Sequence, residues 1–164
     1  GRQDHPSFVA HSLGCLVALE SMNRLFQQGI GSGEVLLMAG AVDADALANR
    51  QQFKDSVKAA RRVQVLSSKK DQVLRWCFPA GDFLASLFYG GYTMAALGRV
   101  GPREAKPAGK VPECVRSMPL KDEWRVGHGD YLAEADGTMN SKHRSAAHLV
   151  AGSLDGGVAV FPQP

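Results

Sequence analysis

The residues Phe8-Val9-Ala10-His11-Ser12-Leu13-Gly14-Cys15-Leu16-Val17-Ala18-Leu19-Glu20 read as a short apolar strand ending at Ala10, a tight turn at Ser12 and a helix beyond it. That strand–turn–helix order is the context required of a nucleophile elbow, whose usual pattern is Gly-x-Ser-x-Gly. A serine at such a turn takes a strained backbone conformation that projects its hydroxyl from the sheet edge. Strand and helix are then expected to pass closely, so the positions two before and two after the serine should tolerate little side chain. Here they are Ala10 and Gly14. The following helix brings backbone N–H groups and its positive dipole end beside Ser12, where a developing oxyanion is stabilised. The plainer alternative is a strand–helix connection that happens to contain serine. A bare five-residue match does not separate the two; the flanking apolar strand and amphipathic helix favour the elbow.

From Leu13 to about Gln28, Leu16, Leu19, Met22 and Phe26 recur at three- and four-residue steps, with Val17 and Leu25 widening the stripe. Gly29, Gly31 and Gly33 end the helix and form a loop. Glu34 to Ala39 is nearly continuous apolar sequence, as expected of a parallel strand covered on both faces. Two strands flanking one helix predict a βαβ unit. Val63-Gln64-Val65-Leu66-Ser67 reads as a third strand, followed at once by a polar turn carrying Asp71.

Four stretches now stand together: Ala10-His11-Ser12-Leu13-Gly14-Cys15, Val35 to Asp43, Ser67 to Leu74, and Gly127-His128-Gly129-Asp130-Tyr131. The first resembles the nucleophile elbow of the α/β-hydrolase superfamily, close to the lipase and esterase form Gly-His-Ser-Leu-Gly, with Ala10 replacing the first glycine. Together they resemble a group of bacterial α/β-hydrolases of largely unassigned function, over most of residues 5–135. The resemblance implies an α/β fold, a partial α/β-hydrolase with a mostly parallel sheet and helices on both faces. Its early strands would lie upstream of this chain. Residues 1–155 would then be the carboxyl-terminal part of one domain and 156–164 a disordered tail.

The resemblance also implies a triad. Ser12, Asp71 and His128 follow the serine, acid, histidine order of α/β-hydrolases. Ser12 would attack, His128 would act as base and then acid, and Asp71 would orient it. Leu13 would give one oxyanion N–H, and the other would come from a loop before the elbow. Asp71 has the alternative of merely capping the helix from Gln72. Asp43, after the second strand, either caps a helix over Ala44 to Ala60 or is the triad acid. His11 adjoins the nucleophile but is expected to point away from the reaction. His5 reads as a surface residue, and His143 and His148 fall in a helix over Ser141 to Leu154. Asp130 and Tyr131 are expected to brace the His128 loop by hydrogen bonds.

Between these motifs, residues 72–98 carry Trp76, Phe78, Phe83, Phe88, Tyr89 and Tyr92, broken by Pro79, Gly81 and Gly90-Gly91. These aromatics read as core of a helix and loop, or in part as the lining of an acyl pocket. Residues 99–121, rich in Pro, Gly, Lys and Arg, read as a long exposed loop.

The chain has 164 residues, 45% hydrophobic, which is one domain's length with enough apolar sequence for a core. A net charge of +3 with dispersed Lys and Arg carries no basic block for a nucleic-acid surface. No apolar run approaches the roughly 20 residues of a membrane span. Cys15, Cys77 and Cys114 show no metal-ligand spacing and read as free thiols, which is compatible with a reducing compartment without fixing one. No metal or cofactor is implied. The expected partner is a small ester or acyl substrate, with self-association through an exposed sheet edge as a further possibility. The competing class is a non-catalytic α/β-hydrolase-like binding or scaffold module.

Overall fold

A computed structural model of the chain describes residues 5–77, 95–106 and 109–131. Its elements run β1 (Phe8–His11), α1 (Gly14–Gln27), β2 (Ser32–Met38), α2 (Lys54–Lys58) and β3 (Ala60–Ser67). They continue with a helix α3, described over 72–77, then α4 (Leu97–Val100), β4 (Val115–Pro119) and a 3-10 turn at Asp122–Trp124. The strands form one sheet in the order β1-β2-β3-β4, and each neighbouring pair is parallel. The fold is α/β.

Parallel neighbours require crossovers, and α1 provides the one between β1 and β2. Strand alternation then sorts β2 between two cores. Val35 and Leu37 join Ala10, Cys15, Leu19, Met22 and Val57 on the face covered by α1 and α2. Leu36 and Met38 join Leu66, Leu74, Leu120, Val126 and Tyr131 on the other. All four β2 side chains are at most 1% exposed, so the strand is covered on both faces. Each such burial contributes about 1.5–3 kcal/mol.

The buried stripe of α1 is rotated from the expected one. Cys15, Ala18, Leu19 and Met22 face the sheet, while Leu16, Val17 and Phe26 are exposed. Small residues at the helix start let its axis approach β1 and β2, which selects Cys15 and Ala18 over the larger Leu16 and Val17. The same rotation leaves Gly14 with space: among the described residues a Cβ there would meet nothing within 4 Å. Of the two positions expected to be crowded, Ala10 is buried and Gly14 is not, and Cys15 is the buried residue at the helix start.

Two further expectations are corrected. Residues 44–53 form turns, not the start of a helix, and only Lys54–Lys58 is helical. The segment is nevertheless buried at Ala44, Ala46, Leu47 and Ala48. Its backbone bonds are mostly turn bonds, such as Ala46 N–H to Asp43 and Ala48 and Asn49 N–H to Asp45, while at its start Ala44 N–H donates to Ala95, the Ala44 carbonyl accepts from Arg103 N–H, and neighbouring Val42 accepts from Leu97 N–H. This stitching satisfies groups that a helix would satisfy internally. The supposed loop over 99–121 contains β4, paired with β3 from Val63–Val115 to Ser67–Pro119. Its sequence, Val-Arg-Ser-Met-Pro, is half polar and ends in proline, a composition suited to a half-exposed strand. Trp76, expected in the core, is exposed. The aromatics from Phe78 to Tyr92, the helix over 141–154 and the tail over 156–164 lie outside the described residues.

Among the described strands β1 pairs only with β2, and its Val9 is half exposed. No helix among the described residues is long and apolar enough to cross a membrane.

Gly98 locks α4 onto the end of β2. Its N–H donates to Gly40 at 3.0 Å, and its carbonyl accepts from Ser68 N–H at 2.9 Å. A Cβ at Gly98 would overlap the Gly40 nitrogen and the Ala39 backbone. Backbone cannot yield as a flexible side chain can, so Gly98→Ala is expected to destabilise the fold by about 3 kcal/mol or more. Urea unfolding of the two proteins measures it.

Candidate active site

Ser12 follows β1, Asp71 follows β3 and His128 follows β4. Because the strands are parallel, their carboxyl ends lie on one edge of the sheet, and all three residues are delivered there. Ser12 sits at φ 55°, a left-handed conformation that costs a non-glycine residue about 1–2 kcal/mol. Three backbone bonds hold it: its N–H donates to Met38 at 2.9 Å, and its carbonyl accepts from Cys15 and Ala41 N–H, each at 3.1 Å. The turn is therefore anchored to β2, its loop and α1 together.

The hydroxyl oxygen of Ser12 lies 2.8 Å from His128 Nε2, and His128 Nδ1 lies 2.8 Å from Asp71 Oδ2. With Nδ1–H donating to the carboxylate, Nε2 is left as an acceptor for the serine O–H. Asp71 is wholly buried, the His128 side chain 18% exposed. A buried carboxylate needs compensating donors. Its Oδ1 accepts Leu74 N–H at 2.8 Å, so one carboxylate both caps α3 and orients the histidine. The two contacts weighed separately for Asp71, the helix cap and the histidine, coexist, one on each oxygen. The carboxylate bonded to His128 is that of Asp71, not Asp43. Asp43 lies in a short antiparallel bridge with Ala96, and the turns that follow it give it no helix to cap.

The His128 loop is fastened at several points. Ser68 Oγ donates to the Val126 carbonyl, Gly127 N–H donates to Asp130 Oδ2 at 2.7 Å, and His11 Nε2–H donates to the His128 carbonyl at 2.7 Å. Asp130 thus braces the loop by a hydrogen bond, as expected. Tyr131 does not: its hydroxyl is buried without a partner among the described residues, and its ring packs against the His11 ring. Burial raises the Tyr131 pKa, with the Asp71, Asp130 and Cys15 charges adding to it.

His11 departs from expectation. It does not serve Ser12 directly, yet its ring lies 5.1 Å from that of His128. The clue was strand alternation: Ala10 belongs to the α1 core, which turns His11 to the opposite face, where the His128 loop lies. Ser68 gave no sequence signal beyond lying in the turn after β3.

The Leu13 N–H donates to nothing among the described residues. It stands at the start of α1, beside Ser12, where an anion would meet both the donor and the dipole. Among the described residues, two surface clefts lie away from this site. One of about 520 Å³ is lined by Asn49, Arg50, Lys54 and Lys106, among others, and another by Lys54, Lys58, Lys110 and Cys114. Both adjoin α2, which leads into the amino end of β3, the opposite sheet edge. Among the described residues no group of three or more His, Cys, Asp or Glu is placed to hold a metal.

The chain matches no known protein-family model, and searches of curated proteins and of solved structures return no significant match.

Cys15 lies one helical step behind Ser12, fully buried, its thiol directed at the Met38 carbonyl. Burial pushes its pKa up to about 12, against a smaller lowering by the Met38 bond. The unfolded chain ionises near pH 9, so the folded state retains a proton that the unfolded state loses between those values. This contribution is whole below pH 9 and fades as pH rises toward 12. Urea unfolding at pH 8.5 and pH 10 should show stability falling by roughly 1 kcal/mol, and Cys15→Ala should reduce the fall. Iodoacetamide at pH 8 should label the exposed Cys77 in the folded chain and reach Cys15 only on unfolding.

Proposed function

We propose that this chain is a serine hydrolase of the α/β-hydrolase type, acting on carboxylic esters or related acyl compounds. The observation that carries the reading is the continuous line from Ser12 Oγ through both His128 nitrogens to buried Asp71, with 2.8 Å at each step. The left-handed turn at Ser12 adds to it, since backbone strain held by surrounding bonds clusters at functional sites. So does the sequential parallel sheet, which presents serine, acid and histidine in the order used by α/β-hydrolases.

The chemistry follows from the donor pattern. Ser12 Oγ attacks the acyl carbon while His128 Nε2 takes its proton. The carbonyl oxygen becomes an oxyanion facing the Leu13 N–H. Asp71 holds Nδ1–H and stabilises the imidazolium. His128 then gives the proton to the departing alkoxide, leaving an acyl-Ser12. Water attacks this ester with His128 again as base, releasing the acid and restoring Ser12. The sequence of steps needs no metal or organic cofactor.

A fluorophosphonate probe, with mass spectrometry to locate the adduct, tests the activated serine. The expected outcome is one adduct on Ser12, absent in Ser12→Ala and formed about 10³–10⁴-fold more slowly in His128→Ala or Asp71→Asn. Absence of an adduct on the parent chain at high probe concentration would overturn the hydrolase reading and favour a binding module. Hydrolysis of p-nitrophenyl acetate should follow the same order of variants.

A further inference from the structure

We propose that His11 is a positioning residue: its Nε2–H, bonded to the His128 backbone carbonyl, sets the height of the base above Ser12. The proposal rests on the hydrolase reading for its effect on turnover, and on geometry alone for its effect on the loop.

His128 belongs to a segment without regular secondary structure that begins after the 3-10 turn, with Arg125 in the left-handed region at φ 47°. Nothing in such a segment fixes residue 128 by ladder or helix bonds. Its flanks are tied: Ser68 holds Val126, Asp130 closes the 127–130 turn, and Tyr131 is buried. Among the described residues, the backbone bond at residue 128 itself is the one from His11, at 2.7 Å. The His128 side chain meanwhile reaches both Asp71 and Ser12. One residue therefore receives backbone restraint from the position before the nucleophile and gives side-chain contact to the nucleophile.

That pairing has a mechanical consequence. His11 is the last residue of β1, in register with Met38, and Ser12 is the next residue in the chain. Any shift of the elbow moves the donor and the nucleophile together. The tether makes the Ser12–His128 separation insensitive to such shifts, whereas a base held only from β4 would be left behind. The His11 ring is itself steadied between the rings of His128 and Tyr131, at 5.1 and 5.8 Å, so its donor has little freedom. The bonding pattern assigns the Nε2–H tautomer to His11, and a cationic His11 would keep the same donor.

Hydrogen bond and ring packing separate by substitution. His11→Phe keeps a ring between His128 and Tyr131 and loses the donor. His11→Gln loses the ring and places an amide N–H at the same number of bonds from Cα as Nε2. For p-nitrophenyl acetate, His11→Phe should lower kcat by roughly 10- to 100-fold, the scale of a misplacement near 1 Å, with KM within about twofold. His11→Gln should recover kcat to within about threefold of the parent. Fluorophosphonate labelling of Ser12 should slow and recover in parallel. Hydrogen exchange of the 126–131 backbone reads the tether without turnover: it should speed in His11→Phe and not in His11→Gln.

Equal kcat in His11→Phe and the parent would overturn the proposal, as would an equal loss in both variants, which would assign the effect to packing. Unchanged exchange in His11→Phe would overturn it too. Should His11→Phe fail to fold, His11→Asn, whose amide is one bond too short, replaces it with the same expectations. If the parent chain neither turns over ester nor labels, the hydrolase reading fails, and the exchange experiment still decides whether His11 tethers the loop.

Discussion

The left-handed backbone at Ser12 is the constraint on which the remaining geometry hangs. Its cost of about 1–2 kcal/mol is met locally, by bonds to Met38, Ala41 and Cys15. Two of those partners come from the end of β2 and its loop, so the elbow is only as well placed as that end. Ala39, next along, is also left-handed, at φ 45°, and Gly98 is pressed against the Ala39–Gly40 backbone. Two adjacent strand ends therefore turn sharply together, clamped by α4. A change at Gly98 would be felt at Ser12 through a continuous run of backbone contacts.

Buried Asp71 presents the complementary problem. A carboxylate with no exposure is tolerated only if its oxygens find donors, and here Leu74 N–H and His128 Nδ1–H divide them. Removing the imidazole would leave one buried oxygen without its donor. Stability and proposed chemistry are thus linked through the same atom, Oδ2. The Ser12 hydroxyl carries no comparable structural burden, since its anchoring lies in its backbone. Loss of the hydroxyl should accordingly separate activity from stability more cleanly than loss of the acid.

Much of this arrangement was legible in the sequence because it depends on local patterns. The apolar run at Val35 to Met38 announced a strand covered on both faces, and Ser12, Asp71 and His128 each sat just past a recognisable strand or within a glycine-flanked loop. What escaped depended on distant partners. Residues 44–53 looked helical because alanines are good helix formers, yet the segment is pinned at Ala44 by Ala95 and Arg103 and closes into turns, which no local propensity reports. β4 escaped because a half-exposed strand of Arg, Ser and Pro lacks the apolar signature of its neighbours. The buried face of α1 was displaced because helical periodicity fixes spacing, while the choice of stripe belongs to the surface it packs on.

His11 shows how the two kinds of information combine. Its position before the serine was plain, and alternation from the buried Ala10 was enough to assign it to the opposite face. What alternation could not supply was the content of that face, since residue 128 lies 117 positions away. The His128 loop could have been tied to any element on that side. That it is tied to the residue adjoining Ser12 places both ends of the Ser12–His128 contact under the control of one strand end. In a sheet whose other site residue, Asp71, hangs from β3, this reduces the geometry to two strand ends in one parallel sheet. Those two ends are joined through the ladder bonds on either side of β2, so the site geometry rests on the sheet and not on the loops alone.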